Sequence, residues 1–176
     1  MYRELGDVHG LAALYNNAGY NAIGQGDDEL ALAYLEEAPS LAERSGEQLR
    51  VVLALDNLGL ASLFMADLET AQDRFVRQLR LCGAPGLEWL AASGIAGLAA
   101  ADACEGEEER AARLLGAAES MANVRTDPAG VRLDEMFFAP ARQRLGEARW
   151  DSAYAAGAEL SSDEAISLAL DSRNAS

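Results

Sequence analysis

The chain has 176 residues, half of them hydrophobic but only 6% aromatic. This suits one domain or one short repeat array of closely packed Ala/Leu helices, and it argues against a β-sandwich rich in Val, Ile and Tyr. The formal charge is −15, from 29 acids against 14 basic residues. The basic residues are scattered arginines, which argues against direct nucleic-acid binding, because that affinity comes mainly from cations neutralising phosphates. No apolar run approaches the ~20 residues of a membrane helix. The opening Met1–Asp7 carries no leader pattern, so a cytoplasmic protein without membrane contact is expected.

The first hairpin is predicted over 8–25 and 28–44. Leu11, Leu14, Tyr15, Ala18 and Ala22 keep helical spacing, Gly26 suits a left-handed helix end, and Asp27 can cap the second helix of the pair. Pro39 should kink or shorten that second helix. A second hairpin over 47–65 and 68–82 carries Leu55, Leu58, Ala61 and Met65 on one face. Gly83-Ala84-Pro85 is a stop and restart signal before the third hairpin, at 87–104 and 107–122. There Glu107-Glu108-Glu109 reads as a helix N-terminus, where carboxylates complement the helix dipole, rather than as a metal site.

Thr126-Asp127-Pro128-Ala129-Gly130 breaks the periodicity and reads as a loop. Helical stretches are expected at 131–146, 148–158 and 161–171, the last opened by a capping box of Ser161 with Glu164. Trp150 and Tyr154 share one face and should pack as a cap over the last repeat, and Asp171–Ser176 reads as a linker. The expected division is thus repeats over 1–125 and a helical cap with linker over 126–176.

The three hairpins share a forty-residue register. It links Gly19, Gly59 and Ala99; Ala31, Ala71 and Ala111; and Leu35, Phe75 and Leu115. It also links Gly26, Ala66 and Gly106; the acids Asp27, Asp67 and Glu107; and Gly6, Gly46 and Gly86. Small residues in the first two columns are predicted where paired helices approach most closely. Self-similarity at a fixed period is the mark of a helical-repeat array.

Asn16-Asn17-Ala18-Gly19-Tyr20 through Gly26-Asp27 resembles the first helix and turn of the tetratricopeptide repeat, and Asp56-Asn57-Leu58-Gly59 matches the same motif. The usual spacing is about 34 residues, so the longer period implies longer helices. The resemblance implies an all-α fold, a TPR-like α-solenoid of three hairpins with a helical C-terminal cap. A second resemblance covers about 105–171. Arg110-Ala111-Ala112-Arg113-Leu114-Leu115-Gly116-Ala117-Ala118-Glu119, the Ala141–Ala148 stretch before Trp150, and Gly157–Leu170 are similar to the C-terminal region of large actinobacterial-type regulators of the LuxR family. In that family an NTP-binding switch domain precedes the repeats and a helix-turn-helix often comes after them. Arg3–Asp7 aligns with Glu43–Glu47, the end of a hairpin, so a segment of a longer polypeptide is expected.

Phosphate-loop, serine-elbow, zinc-protease and calcium-loop motifs are missing, so no catalytic, cofactor or metal residue is nominated. His9 is expected at the surface, and Cys82 and Cys104 as small apolar residues. The tetratricopeptide resemblance implies a concave groove lined mainly by the first helix of each hairpin, and the register then nominates Asn16, Tyr20, Ile23, Asp56, Leu60, Leu63, Phe64 and Ser93, with Ala96 and Ala100. Without Lys or Arg this set should not clamp acidic peptide tails. It suits an apolar or mixed ligand, burial by a neighbouring domain, or filling by the tail helices. The expected function is a non-catalytic protein-interaction and signal-sensing module of a bacterial transcriptional regulator. Its partner would be another protein, neighbouring domains of the same polypeptide, or a second copy in a homodimer. An inducer-binding domain using the groove and a self-association scaffold are the alternatives.

Overall fold

The hairpin turns are the clearest product of the sequence register. In the first, Gly26 adopts φ 76°, its N–H bonds Ile23 O at 3.0 Å, and the Asp27 N–H reaches Ala22 O at 3.0 Å. This pair of bonds satisfies carbonyls that a helix end would otherwise leave open. Forty residues on, Ala66 has φ 60°, Ala66 N–H bonds Leu63 O at 3.0 Å, and Asp67 N–H bonds Ser62 O at 2.9 Å. The third copy has Gly106 at φ 85° and Glu107 N–H on Asp102 O at 2.9 Å. The side chains of Asp27 and Asp67 accept from Leu30 N and Thr70 N, each at 3.2 Å, and so cap the next helix.

Ala66 holds the position that glycine fills in the other two turns. A left-handed L-residue costs about 1–2 kcal/mol, while glycine's extra unfolded-state freedom costs about 0.5–1 kcal/mol. Ala66 is exposed. Ala66→Gly should therefore stabilise the protein by about 0.5–1 kcal/mol in urea denaturation. A loss of stability would mean that the Ala66 methyl contributes more than its backbone strain.

A computed structural model describes residues 8–82, 87–122, 124 and 126–171, apart from the side chain of Glu88. The expectations for the opening 1–7, for Gly83-Ala84-Pro85, for Gly6 and Gly86, and for the linker over 172–176 lie outside these residues. The described residues form helices joined by short turns, with no strand among them. The helices are α1 (Val8–Gln25), α2 (Asp28–Leu35), α3 (Ala38–Ser45), α4 (Gln48–Phe64), α5 (Leu68–Leu81), α6 (Glu88–Glu105) and α7 (Glu108–Met121). The tail adds α8 (Pro128–Leu133), a π-helical turn (Asp134–Phe138), α9 (Ala139–Leu145), α10 (Glu147–Ala158) and α11 (Ser162–Asp171).

Proline explains two departures from regularity. Pro39 sits in the first turn of α3, so the predicted helix 28–44 is divided between Leu35 and Ala38. Proline is tolerated there because first-turn N–H groups have no intrahelical partner. Pro140 lacks an N–H for residue 136, and the chain widens to a π turn in which the Ala139 N–H reaches Asp134 O. The helix expected over 131–146 is accordingly three consecutive elements. It also starts earlier than expected: Pro128-Ala129-Gly130 belongs to α8, not to a loop. Asp127 accepts from Gly130 N at 2.7 Å, and Pro128 stands at the first helical position, which together make a start signal.

Contacts group the helices into two units, Met1–Leu81 and Cys82–Ser176, and the sequence division at 125/126 falls inside the second. In the first unit α1 packs on α2 and α3, α4 packs on α5, and α4 also meets α1, α2 and α3. The paired helices touch at the predicted columns. A Cβ on Gly19 would lie 2.3 Å from Leu35 Cγ, and one on Gly59 would lie 2.7 Å from the Phe75 ring. Ala31, Leu35, Ala71 and Phe75 have no exposed surface. Polar bonds tie the two hairpins together: Asn57 Nδ2 donates to Asn16 Oδ1 at 2.9 Å, and Arg77 pairs with Glu43.

In the second unit α6 and α7 form the third hairpin, with Ala99, Ala111 and Leu115 buried. The tail packs on that hairpin. α10 lies along α7, and α11 contacts both α6 and α7. Trp150 is buried beside Phe138, with ring centroids 6.5 Å apart, and the Tyr154 hydroxyl donates to Glu119. Tyr154 thus bonds to the third hairpin, while the ring contact of Trp150 is with Phe138 of the tail itself.

The Ser161–Glu164 box forms as expected: Glu164 Oε2 accepts from the Ser161 N–H at 2.9 Å and the Ser161 hydroxyl at 2.6 Å. The hydroxyl, and then the N–H, hold the Glu164 carboxyl below its ordinary 4.5. A carboxyl depressed in the folded state stabilises above its unfolded pKa, and that stabilisation is lost as pH falls through the folded value. The melting-temperature gap between the native chain and Glu164→Gln should therefore be full above pH 4.5 and close below it. A gap that stays constant with pH would mean the charge on Glu164 is idle.

Candidate functional site

The groove residues nominated in the first unit divide by burial. Ile23 has no exposed surface, and Leu60, Leu63 and Phe64 are 4%, 1% and 7% exposed. Asp56 is buried and accepts from Gln78 Nε2 at 2.9 Å. Asn16 and Tyr20 are half-buried, with Asn16 engaged by Asn57. In the second unit Ser93 is half-buried, while Ala96 and Ala100 are buried. Of the nominated residues, only Asn16, Tyr20 and Ser93 therefore offer side chains to solvent. The large apolar residues that do reach solvent include Leu14 on α1 and Trp89 on α6, at 50% and 51% exposure.

His9 is exposed as expected, with Nδ1 2.8 Å from Glu47 Oε1. That bond, followed by the one from Arg50, lowers the Glu47 pKa. Of the two cysteines expected as small apolar residues, Cys82 is buried and Cys104 is exposed in the last turn of α6. The Glu107–Glu109 run does start a helix. Glu108 pairs with Arg144 at 2.7 Å, which lowers its pKa, and Glu109 pairs with Arg149 at 2.7 Å. Among the described residues no group of three or more His, Cys, Asp or Glu side chains is placed to hold a metal ion. No described helix is long and apolar enough to cross a membrane.

The second unit carries a feature that the linear sequence hides. A cleft of about 510 Å³ opens between α7, α10 and α11, and Arg110, Arg113 and Arg149 line it. Arg110 is largely enclosed by its partners: Nη1 lies 3.0 Å from Asp102 Oδ2, and Nη2 donates to Leu168 O at 2.6 Å. Asp102 is itself buried. Arg149 is exposed and held only by the similarly exposed Glu109. Arg113 is exposed, and its side chain makes no hydrogen bond or ion pair among the described residues. Ala153, Ala156 and Leu168 supply the apolar wall.

The arginines look scattered in sequence because the packing of α7 on α10 is what gathers them. One local signal existed: Arg110 and Arg113 are three residues apart and so share a helix face. What brings the helices close enough is a pair of glycines. A Cβ on Gly116 would lie 2.0 Å from Tyr154 O, and one on Gly157 would lie 1.8 Å from Arg113 O.

Compared with known proteins, the chain matches no family model, and neither the curated proteins nor the solved structures gave a match.

Proposed function

We propose that the chain is a non-catalytic protein-interaction and signal-sensing module of a bacterial transcriptional regulator, built as an α-solenoid of TPR-like hairpins. The observation that supports this best is the hairpin turn built three times to one pattern, with the same backbone bonds at Asp27, Asp67 and Glu107. Repeated hairpins bury their faces on one another and present extended surfaces to partners. Trp89 and Leu14, each about half exposed, are the kind of apolar residues that interfaces use.

The segments that resemble those regulators also pack on one another. Arg110 and Arg113 flank the cleft, Gly116 and Gly157 set the α7–α10 approach, and Arg144 bridges Glu108 and Ala103 O. The partner in this reading is a neighbouring domain of the same polypeptide. The test mixes the chain with the separately expressed flanking segments of its native reading frame. Co-elution with one of them, weakened by Trp89→Ala, is the expected result. No association with either segment, or salt-sensitive binding of duplex DNA in a mobility-shift assay, would overturn the reading.

A further inference from the structure

We infer that the cleft between α7, α10 and α11 binds a small organic monocarboxylate with an apolar body. The charge balance in the cleft is local and opposite to that of the chain. Three guanidiniums line it, and two are already matched: Arg110 by buried Asp102 and Arg149 by Glu109. Arg113 supplies the surplus positive charge, so the cleft suits one negative charge and not two. The chain itself shows which anion fits. The Glu109 carboxylate sits 2.7 Å from Arg149 Nη2 at the cleft's edge, and guanidinium forks match the planar carboxylate group.

The setting is built in. Arg110 is fixed by Asp102 and by the carbonyls near the end of α11, so the cationic wall beside Arg113 is in place before any ligand arrives. The backbone at Arg113 is pinned by its close approach to Gly157. Ala153, Ala156 and Leu168 offer apolar surface to the ligand's body. A volume of about 510 Å³ lies within the range of small-molecule sites, roughly 300–1,000 Å³. The inference does not rest on partner binding, since a chain that holds no protein partner could still hold this ligand.

The test is calorimetric titration of the full chain at low ionic strength with hexanoate, its uncharged analogue hexanamide, and inorganic phosphate. Saturable one-site binding of hexanoate is expected, with hexanamide about tenfold weaker or worse. Arg113→Gln should weaken hexanoate about tenfold. Glu109→Gln should tighten it, because Arg149 is then released from its internal carboxylate. Both side chains are exposed, so circular dichroism should show unchanged folding. Should Arg113→Gln nonetheless unfold, Arg149→Gln reads the same loss. Equal affinity for hexanoate and hexanamide, native affinity in the arginine variants, or phosphate binding in place of hexanoate would each overturn the proposal.

Discussion

Gly157→Ala is expected to destabilise the protein by about 3 kcal/mol or more, at or beyond the top of the usual overpacking range. The added methyl would sit 1.8 Å from Arg113 O and 2.7 Å from Arg113 C. These are backbone atoms of α7, so no rotamer change can clear them. The whole of α10 must move away, and Trp150, buried at 4% exposure, moves with it. Gly116→Ala should cost a similar amount, because its methyl would meet Tyr154 O at 2.0 Å. The two glycines serve one helix crossing, so the double variant should cost less than the sum of the singles. Gly59→Ala makes a useful contrast. The atoms nearest its methyl are the tip and edge of the Phe75 ring, at 2.7–3.0 Å, and a ring can shift where a backbone cannot. About 1–2 kcal/mol is expected there. Urea denaturation followed by circular dichroism measures all of these. A Gly157→Ala protein as stable as Gly59→Ala would show that α10 is not held by this contact.

The difference between these glycines also marks what the sequence made legible. Gly59 belongs to a column that recurs every forty residues, and its partner Phe75 belongs to another. Periodicity therefore announced both the close approach and the large side chain that fills it. The hairpin ends were equally readable, since left-handed residues at 26, 66 and 106 and acids just after them are local chemistry. Gly116 and Gly157 stand in no column. Their pairing depends on how the tail folds back over the third hairpin, a non-local event with no period to reveal it. The arginine cleft was missed for the same reason. The register nominated first-helix faces, and residues such as Ile23 and Leu63 proved to be buried. Arg110, Arg113 and Arg149 instead line one cleft between α7, α10 and α11. Pro140 shows a subtler limit: the helix expected over 131–146 ran straight through it, and whether a proline breaks a helix or widens it into a π turn depends on its surroundings.

Arg110→Gln should be the most damaging charge removal in the chain, at about 3 kcal/mol or more, the cost of breaking a buried pair from one side. Asp102 exposes only 4% of its side chain, and the guanidinium of Arg110 lies 3.0 Å away. Glutamine leaves the Asp102 carboxylate buried without that cation. It also removes the donor that holds Leu168 O at 2.6 Å, so the end of α11 loses its anchor to α7. Arg149→Gln is the control: both members of the Arg149–Glu109 pair are more than 60% exposed, and such pairs contribute about 0–1 kcal/mol. Asp102→Asn combined with Arg110→Gln separates charge from packing. With the buried charge gone, the double variant should be more stable than Arg110→Gln alone. Together with the Asp102→Asn single variant it closes a cycle that gives the coupling energy of the pair. Limited proteolysis gives an independent reading, with cleavage in 162–171 expected to rise in Arg110→Gln before the rest of the unit is cut. An Arg110→Gln protein no less stable than Arg149→Gln, with its last helix equally protected, would show that Arg110 carries neither load.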